Sequence, residues 1–167
     1  VRTAAGALVY ADLALVDTDK LVFVYADVND SNIGKARCAT FSGTTISAWG
    51  AVETFEAGAT KYISIAKFDT DKAGVFYQDD DDTDKGKGVL LVATGTALAA
   101  AAAVEFEANV ITYTTCDQLT TNKIILCYNE TTGTQLDARV ASLTGLTISY
   151  GVEVTVDTDT ANYPSVV

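Results

Sequence analysis

The chain has 167 residues, 22 of them acidic and 11 basic, which gives a formal net charge of −11 at pH 7. This balance argues against nucleic acid and anionic membrane surfaces as partners, because a basic patch that could neutralise phosphates is missing. The absence of histidine removes the usual general base near neutral pH, so we expect no enzyme and no catalytic residues. No apolar run reaches the roughly 18 residues that span a bilayer, so we also expect no membrane insertion.

An internal repeat organises the chain. A strand that starts at Tyr10 rises to an Asp-Thr-Asp-Lys turn, and the pattern returns at Tyr62 and, more weakly, at Tyr113, 52 and then 51 residues further on. Self-similarity at a fixed period indicates a repeat architecture. We predict one repeat domain over residues 1–167, made of a partial repeat (1–14) and three repeats (15–66, 67–117 and 118–167), the last ending in a duplicated strand.

Each repeat is predicted to contain four strands. The first begins at the tyrosine, and the second follows the turn as a continuous apolar run, such as Leu21 to Tyr25. Because a strand with one buried face alternates in polarity, a continuous apolar run predicts cover on both faces. The third strand ends at a glycine turn, and the fourth leads towards Phe55, Phe106 and Val156 in the three repeats.

The alanine-rich stretch 96–108 is the one segment in which local propensity and the repeat disagree. Alanine is the best helix former, and the stretch taken alone predicts a helix. Its position matches that of the fourth strand in the other two repeats. We therefore predict a strand here.

Four strands in a unit of about 51 residues, with cover on both faces, is the pattern of a β-propeller blade. The motifs Asp-Thr-Asp-Lys, Ser-Asn-Ile-Gly-Lys-Ala-Arg (31–37) and Phe-Ser-Gly-Thr-Thr-Ile-Ser (41–47) resemble those of the tandem propeller-type repeats of exported bacterial, archaeal and phage proteins. The resemblance implies an all-β fold of three four-stranded antiparallel blades that is incomplete as a monomer. Propellers need about four or more blades to close a ring. Two chains could form a closed six-bladed ring, or subunits could join head to tail into a filament or tube.

The two ends of the chain carry equivalent strands, which favours strand exchange between copies. We expect the last strand, with Tyr163, Val166 and Val167, to take the place of the neighbour's equivalent strand, which contains Tyr10 and Leu13. The alternative is that the duplicated strand closes the terminal blade of its own chain.

Two cysteines lie symmetrically about the turn at Thr121 and Asn122. In a tight hairpin Cys116 and Cys127 would face each other across adjacent strands, which predicts a disulfide suited to an exported protein. The alternative is a pair of buried thiols at positions that hold Ile65 and Phe76 in the preceding repeat.

Polar loops follow the second strands and suggest two further kinds of site. Oxygen ligands lie at alternate positions, Asp27 with Asn29 and Asp79 with Asp81. They are compatible with a bound calcium ion, the one cofactor that the sequence suggests. The alternative is a pair of solvated acidic loops. Asn29 and Asn129 begin glycosylation sequons in loops predicted to lie at the surface.

These features favour a structural protein over an enzyme. We expect an extracellular protein, at a cell or virion surface, whose partners are copies of itself and whose product is a filament, tube or fibre-like appendage. The alternative is a propeller lectin, formed by oligomerisation, that binds glycans.

Overall fold

A computed structural model describes residues 7–159 and 164–165, and these residues form an all-β structure, as predicted. No helix in the described residues is long and apolar enough to cross a membrane. One 3₁₀ turn covers Val28–Asp30. The strands are β1 (Leu8–Asp17), β2 (Lys20–Asp27), β3 (Ile33–Ser42), β4 (Thr45–Ile46), β5 (Glu53–Asp69), β6 (Lys72–Asp79), β7 (Lys85–Thr94), β8 (Ala97–Ala100), β9 (Val104–Thr120), β10 (Lys123–Glu130), β11 (Gln135–Thr144), β12 (Thr147–Tyr150) and β13 (Val154–Asp157).

The strands pair antiparallel in the order β1-β2-β3-β5-β6-β7-β9-β10-β11-β12, with β4, β8 and β13 beside this path. Two strands of 17 residues, β5 and β9, each pair with a different strand along each half. They divide the sheet into three sections. Section 1 contains β1–β4 and residues 53–59, section 2 contains residues 60–69, β6–β8 and residues 104–110, and section 3 contains residues 111–120 and β10–β13.

One backbone hydrogen bond recurs at the same position in all three sections. After the short fourth strand, one residue in each section donates its amide hydrogen to the third strand, and the three distances lie between 2.8 and 2.9 Å. These bonds run from Gly50 to Cys38, from Ala101 to Leu90 and from Gly151 to Val140. This hydrogen bond holds the chain beside the third strand between two short paired segments. The predicted fourth strand is therefore split in two, and both parts pair with the same edge of the third strand.

The alanine-rich stretch is a strand over Ala97–Ala100, which confirms the prediction from the repeat. These residues pair with β7 through the register Leu91↔Ala100 to Thr94↔Ala97. Tertiary pairing therefore overrides the helix propensity of alanine. The chain then leaves the sheet at 101–103 before β9 begins.

The core lies between the sections, which pack face to face. One cluster joins sections 1 and 2, with Val24 from one and Val75 from the other, and a second cluster joins sections 2 and 3 through Phe76 and Leu126. Every residue from Ala73 to Asp79 of β6 is buried, since both faces of section 2 are covered. The continuous apolar run predicted this double cover correctly for the middle section.

Candidate assembly interface

Each section has two distinguishable faces. We call the face turned towards the next section in the chain its front face, and the opposite one its back face. The front face of section 1 presents Val22 and Val24, and it packs on the back face of section 2 at Val75 and Tyr77. The front face of section 2 likewise packs through Phe76 on the back face of section 3. Both interfaces are therefore of the same kind, front on back.

Among the described residues, no section packs against the back face of section 1 or the front face of section 3. Because side chains alternate along a strand, the neighbours of Val22 and Val24 form the back face of section 1. It contains half-buried Phe23 and, from β1, Leu13 and Leu15, each 53% exposed. The front face of section 3 contains half-buried Ile125, Cys127 and Val140 and, 62% exposed, Val154. Within the described residues these two faces are uncovered by another section and apolar, and we call them the free back face and the free front face.

A β-bulge at the tip of each first hairpin joins neighbouring sections. The register skips Val16 in section 1 and Phe68 in section 2, and a residue left out of the ladder keeps its carbonyl free. The carbonyl of Val16 accepts from the amide of Asp71 at 3.1 Å, and that of Phe68 accepts from Asn122 at 2.7 Å. Leu119 is the bulge residue of section 3, and it is 50% exposed.

An ion pair also joins the front of section 1 to the back of section 2, whereas at the next interface Asn122 stands at the position of Asp71. The ammonium group of Lys20 binds the carboxylate of Asp71 in the next section, and this hydrogen bond raises the pKa of Lys20. The positions of Lys20 and Asp71 recur at the two ends of the chain as Lys123 and Asp19. Both end residues are exposed. A cation therefore marks the free front face and an anion the free back face.

A tyrosine and a carboxylate form a second recurring link. Tyr77 of section 2 donates to Glu56 of section 1 at 2.8 Å, and Tyr128 of section 3 lies 3.4 Å from Glu107 of section 2. Burial raises the pKa of both tyrosines, so their hydroxyl groups stay protonated donors.

Arg139 strengthens the second of these links. Its guanidinium group lies 3.1 Å from Glu107 and 2.9 Å from Glu153. Burial and the neighbouring Glu153 raise the pKa of Glu107. Burial also acts to raise the pKa of Glu153, but hydrogen bonds from Tyr128, Glu107 and Arg139 outweigh it and lower that pKa. This cluster ties section 2 to section 3, and the sequence analysis did not single it out.

The tyrosines that define the repeat form a column across the three sections. The ring centroids of Tyr10 and Tyr62 are 5.2 Å apart and those of Tyr62 and Tyr113 are 4.7 Å apart. Each tyrosine occupies a second bulge with a positive φ, 52°, 50° and 52° in chain order, which is unusual for a bulky residue. The three rings, with Pro164, line a cleft of about 390 Å³. Their spacing of 52 and 51 residues was the sequence signal for this column.

The structure places the predicted assembly residues in two groups. Tyr10 is 39% exposed in the column, and Leu13 lies on the free back face. Tyr163, Val166 and Val167 lie outside the described residues.

The predicted disulfide between Cys116 and Cys127 is wrong, since both thiols are free. The bulge at Leu119 shifts the hairpin register, so Cys116 pairs with Leu126 and Cys127 with Thr115. The two side chains therefore point to opposite faces of the sheet. Cys116 is buried against section 2, whereas Cys127 lies on the free front face.

The carboxylates proposed for calcium bind lysines or backbone amides instead. Asp27 accepts from Lys35 at 2.9 Å, and Asp79 from Lys87 at 2.6 Å. Asp81 accepts from the amide of Ala59 at 3.2 Å. Among the described residues no three acidic or cysteine side chains are grouped to hold a metal ion. The loops that contain Asp27, Asn29, Asp79 and Asp81 thus give no support to a calcium site.

The two sequon asparagines have different environments. Asn29 is exposed in the 3₁₀ turn, as predicted. Asn129 is 2% exposed and lies inside β10, which continues to Glu130. The prediction of a surface loop at Asn129 is therefore wrong, and in the folded chain this amide is closed to a glycan.

The chain matches no model of a known protein family, and no curated protein is similar to it in sequence.

Proposed function

We propose that this chain is a structural subunit that assembles with copies of itself, the free front face of section 3 packing on the free back face of section 1 of the next copy. One observation carries the proposal: the chain already contains this front-on-back interface twice. Each section then acts as one propeller-like blade, and the assembly continues the stack from chain to chain. An exported protein that builds a filament, tube or fibre-like appendage fits this role.

The geometry of such a contact determines which assemblies it can form. A front face meets a back face, so the two surfaces in contact differ and the interface is heterologous. Heterologous contacts close into a ring when the rotation per subunit allows it and otherwise continue as an open filament. Two chains would give a ring of six sections, and an unclosed stack would give the filament.

Burial of the two end faces supplies the driving force. Exposed contiguous apolar surface on a folded chain marks an interaction site or a liability to aggregate. Removing it from water stabilises the contact by about 25 cal/mol per Å², before the cost of association is subtracted. Charges of opposite sign at Lys123 and Asp19 add direction to that attraction.

A charge on the free back face tests the proposal. We expect Leu13→Glu to shift the light-scattering mass of the purified protein from an assembly to a single subunit, because the carboxylate would have to be buried. The matched control is Val28→Glu, which places the same charge at a residue of the 3₁₀ turn that is 42% exposed. Equal masses for the two variants would contradict the proposal.

The tyrosine column supports a second candidate function, carbohydrate binding by the assembled protein. Sugar-binding repeats need an aromatic side chain in each unit, and the column supplies one from each section beside an open cleft. Binding on a glycan array that is lost in Tyr10→Ala would favour this function. Assembly without any glycan binding would leave the structural role alone.

A further inference from the structure

At the interface between sections 2 and 3, a side chain of one section inserts over a small residue of the other. We call the inserting residue a knob and the small residue a hole. Tyr150 on the back face of section 3 lies over Gly88 on the front face of section 2, where an added Cβ would clash with the tyrosine oxygen. The ring lies between Phe76 and Phe106, with centroid distances of 6.4 and 5.7 Å. The tyrosine hydroxyl also donates to the carbonyl of Val104 at 3.4 Å. The ring of Tyr150 therefore fits here only because Gly88 has no side chain.

The recurring hydrogen bonds identify the equivalent knobs. Tyr150 precedes Gly151, which donates to β11, and the residues that precede the equivalent donors are Ala100 in section 2 and Trp49 in section 1. The sheet registers identify the equivalent holes. Gly88 pairs with Phe76, and the third-strand residues in the same register position are Ala36 in section 1 and Ala138 in section 3.

At both internal interfaces the residue at the hole position is small. At the interface between sections 1 and 2 the knob Ala100 packs against the cluster that contains the hole Ala36. At the next interface a tyrosine occupies a glycine hole. Among the described residues, one knob position and one hole position have no section facing them, namely Trp49 on the free back face and Ala138 on the free front face.

The free hole lies in an apolar groove. Ala138 is flanked by Ile125, Val140 and Val154 in a groove of about 160 Å³. Val154 pairs with Ala138 as Val104 pairs with Gly88. A side chain inserted in this groove would have the carbonyl of Val154 as a hydrogen-bond acceptor, in the same position as the carbonyl of Val104 that accepts from Tyr150.

Contacts within section 1 hold Trp49, the free knob, in position. Trp49 packs against Phe23 with a centroid distance of 6.0 Å. Arg37 donates to the carbonyl of Trp49 at 3.3 Å and to that of Gly50 at 2.8 Å. The indole therefore stands on the free back face on a backbone that Arg37 fixes.

We infer that Trp49 of one copy inserts over Ala138 of its neighbour and donates its indole N–H to the carbonyl of Val154. This inference rests on the proposed head-to-tail assembly and assigns its register. Trp49 meets a small residue in an apolar groove, as Tyr150 meets Gly88. Opposite charges at Asp19 and Lys123, equivalent to the internal pair of Asp71 and Lys20, accompany the same register.

The chain contains one tryptophan, so its fluorescence reports on this contact. We expect the emission of the wild-type protein to shift to shorter wavelength as assembly proceeds with concentration, because the indole leaves water. The variant Ala138→Phe fills the groove without adding a tryptophan, and we expect neither the shift nor assembly. The matched control Thr44→Phe adds the same ring in the exposed β3–β4 turn and should behave as wild type.

A mixing experiment separates this inference from the proposed assembly. We expect Ala138→Phe and Trp49→Asp each to remain single subunits, and their equal mixture to form a complex of two subunits through the one intact knob and the one intact hole. A wild-type protein that never assembles would overturn the proposed function and the inference together. A wild type that assembles while Ala138→Phe assembles equally well, or a mixture that stays monomeric, would overturn the inference alone.

Discussion

Lys20 and Asp71 form an ion pair that ties section 1 to section 2. The same two positions recur at the ends of the chain as Lys123 and Asp19, one on each free face. In the proposed assembly, the pair that lies inside the chain at this interface would be divided between two copies at the contact between chains. Lys20 has only 10% of its side chain exposed, which shows how an apolar interface covers such a pair.

Reversing one of these end charges is expected to weaken assembly. An exposed ion pair contributes about 0.2–1 kcal/mol, and a like-charge contact would replace attraction by repulsion. We predict that Lys123→Asp raises the concentration at which half of the protein is assembled by up to about tenfold, which corresponds to about 1.4 kcal/mol. Asp19→Lys in the same chain should restore the wild-type midpoint in sedimentation velocity experiments. A double variant that assembles no better than the single one would contradict this pairing.

The alkylation of cysteines should follow the assembly state. Cys38 and Cys116 are buried within the chain, whereas Cys127 is half-buried on the free front face. We predict that iodoacetamide labels Cys127 first in dilute protein and that assembly slows this labelling. Burial raises the pKa of the Cys127 thiol, so labelling should also accelerate with rising pH. Mass spectrometry of the labelled peptides measures this, with Cys127→Ser as the control, and labelling of Cys127 that is indifferent to assembly would contradict the assigned face.

The tyrosine column should store backbone strain that glycine relieves. Tyr10 has a φ of 52°, and the left-handed region costs an L-residue about 1 kcal/mol. We predict that Tyr10→Gly has a free energy of unfolding about 1 kcal/mol higher than Tyr10→Ala, since both variants lack the ring and only alanine keeps the strain. At the regular strand position 14 the order should reverse, with Ala14→Gly less stable than wild type by about 0.5–1 kcal/mol. Urea unfolding of the single subunits checks both differences, and a Tyr10→Gly variant less stable than Tyr10→Ala would refute the strain.

The loop carboxylates should make the fold sensitive to acid. The hydrogen bond from Lys35 lowers the pKa of Asp27. A carboxyl group whose pKa is lower in the folded chain contributes stability above its unfolded pKa of about 3.9, and this contribution is lost as the pH falls through the folded pKa.

We therefore predict that the free energy of unfolding falls below about pH 4 and that Asp27→Asn flattens this dependence. Urea unfolding at pH 3 to 6 measures it, with Asp159→Asn as a control because that carboxylate is exposed. The same acid sensitivity in Asp27→Asn and wild type would show that the pair with Lys35 does not contribute.

The sequence predicted those features that depend on periodicity. The nearly constant spacing of the tyrosines indicated that one unit recurs, and the apolar run of β6 indicated cover on both of its faces. It also predicted a strand at Ala97–Ala100 against the local propensity. Each of these follows from the pattern of a whole segment, so a change of one residue in register does not affect it.

Features that depend on single residues could not be predicted in this way. One extra residue, Leu119, reverses which face a side chain occupies, and this alone separates Cys116 from Cys127. Asp27 and Asp79 resembled cation ligands because their lysine partners lie on the following strand, eight residues away in each case. The division of each section into a front and a back face appears only once the sections are packed.

The proposed self-assembly is tested by the size of the wild-type protein in solution, measured by light scattering beside negative-stain electron microscopy. We predict particles whose mass is a multiple of 17.5 kDa, either long filaments or a discrete complex of two subunits. The assembled fraction should increase with protein concentration. A protein that remains a single subunit of 17.5 kDa at every concentration, with no filaments in the micrographs, would contradict it.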